Sequence, residues 1–89
     1  MKVIWKYAIN PHTTVSIPDG ARLLSVQTQD NQPQLWALVD PSKPKVGHAF
    51  RAVATGEEFD DQGHVYVATF QINNGGLVFH LFELIEPHG

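Results

Sequence analysis

The side chains with chemistry to offer are few and scattered. Five histidines stand at positions 12, 48, 64, 80 and 88. None lies two or four residues from another, so no local metal-binding pair exists. His80 sits inside an apolar run, and strand alternation sets it on the face of Val78 and Phe82. A neutral imidazole there can touch a ligand or move a proton. The plainer reading is a partly buried histidine satisfied by a neighbour. Arg51 is one of two arginines and follows Phe50 among apolar and small residues. A guanidinium in that setting needs an anion or solvent. The anion is either a ligand phosphate, which arginine grips through two parallel N–H groups, or a carboxylate of the chain such as Asp40 or Glu83. Thr55 and Gly56 follow, with a hydroxyl and an accessible backbone amide.

Other chemistry is excluded or weakened. Glu57, Glu58, Asp60 and Asp61 crowd one loop, and carboxylates this close could hold a divalent cation. Their spacing is not that of a Ca²⁺ loop, so we read a solvated acidic loop that would repel phosphate. There are no cysteines, which removes disulfides, thiolate nucleophiles and cysteine-ligated zinc. No phosphate loop, dinucleotide fingerprint, His-Glu-x-x-His or Gly-x-Ser-x-Gly pattern occurs. No enzyme active site, metal or cofactor is expected. The net charge of −3 lacks the basic stripe that duplex nucleic acid requires. A small anion needs only one or two well-placed cations.

The elements that must position these residues are strands. β-branched and aromatic residues cluster in short runs separated by Gly, Pro, Asn and Asp. No stretch sustains helical periodicity. Seven strands are expected, over 3–9, 13–17, 22–29, 34–39, 48–55, 64–72 and 77–84. In the first, Val3, Trp5, Tyr7 and Ile9 share one face and Lys6 takes the other. In the third, Leu24, Val26 and Thr28 alternate with Ser25, Gln27 and Gln29. Asp30 to Pro33 has the length of a hairpin connection. Asn73-Asn74-Gly75-Gly76 is the strongest turn, because Asn and Gly accept positive φ. Pro87 to Gly89 reads as a tail.

Short strands at this spacing predict an all-β fold, a compact antiparallel sandwich or small barrel of about seven strands. The 89 residues suffice for one domain, 1–89, with a thin core. A homo-oligomer would bury more surface. No apolar run approaches the ~20 residues that span a bilayer. Met1 to Lys6 begins like a signal peptide, but its apolar part is short and broken by Lys6. It reads as the first strand, with the chain in the cytoplasm and no membrane partner. Trp5, Tyr7, Trp36, Phe50, Tyr66, Phe70, Phe79 and Phe82 supply rings that either fill the core or stack a base beside an arginine.

Three stretches are distinctive together: Met1 to Tyr7, Leu35 to Pro41, and Val78 to Glu83, with Thr55-Gly56 and Thr69-Phe70-Gln71 between them. With these the chain resembles a family of small bacteriophage and prophage proteins of unknown function. The resemblance implies no catalytic residues. It implies a setting, the host cytoplasm, where small phage proteins inhibit host defence. One such class, the sponges, sequesters cyclic ADP-ribose-like or cyclic oligonucleotide signals intact. The expectation is therefore a homo-oligomeric, non-catalytic protein that binds a small nucleotide through Trp5, Trp36, Arg51, Thr55 and His80. The rivals are a nucleotide hydrolase using His80 with an acidic partner, and a protein–protein inhibitor or minor structural phage protein.

Overall fold

The computed structural model describes residues 1–85. The expected tail from Pro87 to Gly89, including His88, lies outside them. Seven strands follow in order: β1 (Val3–Ala8), β2 (His12–Pro18), β3 (Arg22–Gln29), β4 (Gln32–Val39), β5 (Lys45–Ala54), β6 (His64–Ile72) and β7 (Leu77–Leu84). They form two antiparallel sheets, one ordered β1-β4-β3 and the other β2-β5-β7-β6. Of the two expected architectures this is the sandwich-like one, and it is not a closed barrel.

Alternation explains the layering. In β4, Leu35, Ala37 and Val39 are fully buried while Gln34, Trp36 and Leu38 face outward. β5 contributes Phe50 and Ala52 to the same core, β6 Phe70 and β7 Leu81. Ile9, Ile17 and Val26 of β3 complete it. Each fully buried aliphatic side chain contributes about 1.5–3 kcal/mol. The Cα envelope measures 39 × 37 × 15 Å. One interior layer, ~10 Å thick between facing sheets, is all that this thickness holds.

Some strand limits differ from expectation, each for a local reason. The β3–β4 reversal needs only Asp30 and Asn31, both left-handed with φ of 49° and 64°. Gln32 and Pro33 therefore already pair with Gln29 and Thr28. Pro33 has no N–H to give β1, and the Gln32 side chain replaces it. Ile9 N donates to the Pro33 carbonyl at 3.0 Å, and Gln32 Nε2 donates to the Ile9 carbonyl at 2.9 Å. β5 starts earlier than expected and β2 ends one residue later, because Lys45, Val46 and Gly47 pair with Pro18, Ile17 and Ser16. β2 also starts one residue earlier, where His12 pairs with Arg51. In β3 a bulge between Leu23 and Ser25 breaks the alternation. Leu23 packs on the core in place of Leu24, which is exposed.

Several joints hold the sheets together. The chain itself crosses between them three times, at residues 9–11, 19–21 and 40–44. At the first crossing the Pro11 carbonyl accepts from Ala52 N in the second sheet. At the far side, the ends of β3 and β6 clasp. Thr28 Oγ1 donates to the Gln71 carbonyl at 2.6 Å. Asn31 Nδ2 donates to Asn73 Oδ1, and Asn73 N donates back to Asn31 Oδ1.

Candidate functional site

Three of the five expected contact residues meet on one surface, the outer face of the four-stranded sheet. Arg51 pairs in register with Phe82 on β7, which pairs with Tyr66 on β6. One row along, Val53, His80 and Thr69 align in the same way. Thr55 continues this face beyond β5, its N–H donating to the Val78 carbonyl at 3.1 Å.

His80 is held between two hydroxyls. Its Nε2 lies 2.8 Å from Thr55 Oγ1 and its Nδ1 2.9 Å from Thr69 Oγ1. Tyr66 Oη adds a further link to Thr69 Oγ1 at 2.7 Å. Tyr66 and Thr69 are three apart and would face opposite ways in a regular strand. A bulge between Tyr66 and Ala68 turns both onto this face. A neutral imidazole fits this chain of hydroxyls, accepting at one nitrogen and donating at the other. Among the described residues His80 has no acidic partner. The imidazole–carboxylate pair among them is instead His48 Nδ1 with Glu83 Oε2. These two side chains lie in register with Val15 and Phe50, on the core side of the sheet.

Arg51 pairs with neither of the acids considered from sequence. Glu83 is taken by His48, and Asp40 accepts from Ser42 N and Ser42 Oγ. Those two bonds hold the Asp40 carboxyl below its ordinary range. Arg51 Nη2 donates to Glu57 Oε2 at 3.1 Å. A turn closed by Glu57 N to the Ala54 carbonyl, with Gly56 at φ 91°, brings Glu57 back over the sheet. Glu57 Oε1 also accepts from Ala54 N at 3.0 Å. That backbone bond, with the guanidinium second, holds the Glu57 carboxyl below the usual carboxylate range. Arg51 Nε is buried and has no hydrogen-bond partner among the described residues.

The acidic loop also delivers an aromatic ring that the sequence reading passed over. Phe59 lies 5.3 Å beneath the Arg51 guanidinium, 4.8 Å from the Phe82 ring and 4.9 Å from the His64 ring. Tyr66 meets Phe82 edge-on at 5.7 Å and stays largely exposed. Beside this cluster is an open cleft of about 380 Å³ lined by His12, Thr13, Thr14, Arg51 and His64, among others. His12 pairs in register with Arg51, and His64 with Leu84. Nothing in the spacing of His12, Arg51 and His64 reveals that the fold gathers them. Only the pairing of β2 with β5 and of β6 with β7 does so. Among the described residues, no group of three metal-ligating side chains forms, and no helix is long and apolar enough to cross a membrane.

Trp5 and Trp36 stand apart, on the three-stranded sheet and on opposite faces of it. Trp5 pairs with Ala37 on the core side yet remains 36 % exposed, because β1 is an edge strand. Trp36 faces outward beneath Lys6, whose Nζ lies 5.6 Å from the ring centre. The five expected residues therefore do not form one pocket.

The family model for a domain of unknown function, DUF7352, matches residues 1–89. The chain belongs to the DUF7352 family. No curated protein and no solved structure matches it.

Proposed function

We propose that this chain is a non-catalytic binding protein that sequesters a small nucleotide on the outer face of its four-stranded sheet. The observation that carries the reading is Arg51. Its guanidinium is stacked on Phe59, keeps one N–H without a partner among the described residues, and borders the cleft shared with His12 and His64. A phosphate in that cleft would meet one fixed cation, two imidazoles and the Thr14 hydroxyl, while the Thr13 hydroxyl is taken by the Asn10 backbone. A base would stack on the exposed Tyr66 ring, as bases stack on aromatic platforms elsewhere. His80 and Thr55 would hold Tyr66 through Thr69. The distinctive stretches Met1 to Tyr7, Leu35 to Pro41 and Val78 to Glu83 support a bacteriophage setting. There the bound nucleotide would be an immune signal of the host, cyclic ADP-ribose-like or a cyclic oligonucleotide, captured in the host cytoplasm.

The rival hydrolase reading has one feature in its favour, the His48–Glu83 pair, which is the kind of couple that moves protons. Incubation with adenosine monophosphate, ADP-ribose and cyclic dinucleotides, followed by heat denaturation and chromatography, separates the two. Sequestration returns the ligand intact, whereas hydrolysis returns products. Calorimetric titration of Arg51→Ala should show affinity weakened by about 1.5–3 kcal/mol, the range for hydrogen bonds to charged groups. That is about tenfold to hundredfold. Arg51→Lys should restore only part of it, since an ammonium cannot make the two-pronged contact. Unchanged affinity with a lowered melting temperature would make Arg51 a structural partner of Glu57 and remove the site.

A further inference from the structure

From the edge of the three-stranded sheet we infer that two copies of this chain pair through β1, antiparallel and centred on Trp5. This surface lies apart from the proposed nucleotide face and does not depend on that reading. β1 bonds to β4 on one side only, and among the described residues no strand borders its other side. The Ile9 N–H donates to Pro33 across the ladder. By the two-residue alternation of antiparallel pairing, Val3, Trp5 and Tyr7 direct their backbone groups to β4, while Ile4, Lys6 and Ala8 direct theirs outward. Those outward groups form an unpaired row on a strand with apolar side chains on both faces. Val3 is 42 % exposed, Ile4 59 % and Trp5 36 %.

Such an edge is ordinarily guarded by a charge. The one charged side chain within β1, Lys6, is drawn inward across the sheet. Its Nζ lies over Trp36 and donates to Gln29 Oε1 at 2.9 Å. Among the described residues the sheets have three further edge strands, β3, β6 and β2; β3 and β6 are clasped to each other at their ends, and β2 differs from β1 in its sequence. Its outward face carries His12, Thr14 and Ser16, and it ends in Pro18, which has no N–H.

The sequence of β1 selects a second copy as the occupant, and it selects the register. A two-fold axis through Trp5 sets Ile4 opposite the partner's Lys6 in hydrogen-bonded pairs. It sets Trp5 opposite the partner's Trp5, and Val3 opposite the partner's Tyr7. Axes through Lys6 or Ile4 would set lysines opposite lysines, because Lys2 and Lys6 are symmetric about Ile4. Like charges directly opposite are destabilising. The Trp5-centred register avoids this and continues Val3, Trp5 and Tyr7 into one apolar stripe across both copies. A strand edge of this length buries less than the ~800 Å² per partner of a standard interface, so the pairing is weak and is read at high protein concentration.

The absence of native cysteines makes the test direct. In the Trp5-centred register the two Trp5 Cα atoms form a non-hydrogen-bonded pair at ~4.5 Å, within reach of a disulfide. Trp5→Cys should give a covalent dimer under mild oxidation, while Ser16→Cys on the β2 edge should remain a single chain. Light scattering at high concentration, on the order of 100 µM, should give twice the 9.9 kDa chain mass. Ile4→Lys places a charge opposite the partner's Lys6 and should give the single chain. Ile4→Glu places a complementary charge there and should keep the dimer. Circular dichroism of each variant should match the parent, since Ile4 points into solvent. A single-chain mass for the parent, a dimer that persists in Ile4→Lys, or cross-linking at Ser16 in place of Trp5 would overturn the inference.

Discussion

Two residues show how a single polar group can be read for its cost. The Tyr7 hydroxyl is buried without a hydrogen-bond partner among the described residues. Burial also pushes its ionisation above the ordinary range. An unmet buried polar atom costs about 1–3 kcal/mol. Tyr7→Phe should therefore leave stability unchanged or raise it by up to ~1 kcal/mol, once part of that cost is offset by ring repacking. A clear loss in urea melts would show that the hydroxyl has a partner. Glu57 makes the opposite case. Its folded-state pKa lies below the ordinary 4.5, through the Ala54 N–H first and Arg51 second. The stabilisation is thus fully present above the ordinary carboxylate range and is lost as pH falls through the lowered value. Glu57→Gln keeps an oxygen for Ala54 N but removes the charge. Its melting temperature should fall less steeply than the parent's on acidification below pH ~4. If the site is an anion site, the same variant should bind nucleotide more tightly, because it removes a competitor for Arg51.

Among the elements, the two hairpin tips decide how the sheets sit. Asn31 occupies the left-handed position of its turn and also bonds to Asn73 twice. Asn31→Gly keeps the turn conformation open and removes only the clasp. The expected loss is about 1–2 kcal/mol in denaturant melts, the scale of two partly exposed hydrogen bonds. A change below ~0.3 kcal/mol would assign the joint to the chain crossings and the shared core instead. The bulges act at the same scale. One in β3 turns Leu24 out of the core, and one in β6 turns Tyr66 and Thr69 onto one face. Neither bulge carries a glycine or another residue that marks it in the sequence. Leu24 therefore reads as core and the Tyr66–Thr69 link is invisible until the partner strand is in place.

At the scale of the whole molecule, the thin interior concentrates stability in a few positions. Leu35 is fully buried at the centre of β4. Leu35→Ala should cost about 2–5 kcal/mol, a large share of the 5–15 kcal/mol typical of a folded domain. Ile4→Ala on the same sheet should change single-chain stability by no more than ~0.5 kcal/mol. Urea titration well below the dimer concentration range compares them. Near-equal losses would show that the core extends over the outer face of the three-stranded sheet.

The sequence by itself determined the all-β class, the seven strands and most of their limits. The reason is local: β-branched runs, two-residue alternation and turns built on Asn, Gly and Pro act over a few residues. It also set His80 on the face of Val78 and Phe82, because alternation is a backbone property; that Arg51 and Thr55 share this face follows only from the pairing of β5 with β7. It did not reveal that Gln32 supplies the donor Pro33 lacks, that Arg51 turns to Glu57, or that Phe59 leaves the acidic loop to stack beneath Arg51. It likewise grouped Trp5 and Trp36 with a site on the other sheet. These depend on which strands become neighbours, and that is decided by long-range pairing that no local signal encodes. Tertiary structure alone brought His12 to Arg51 and left β1 at an open edge.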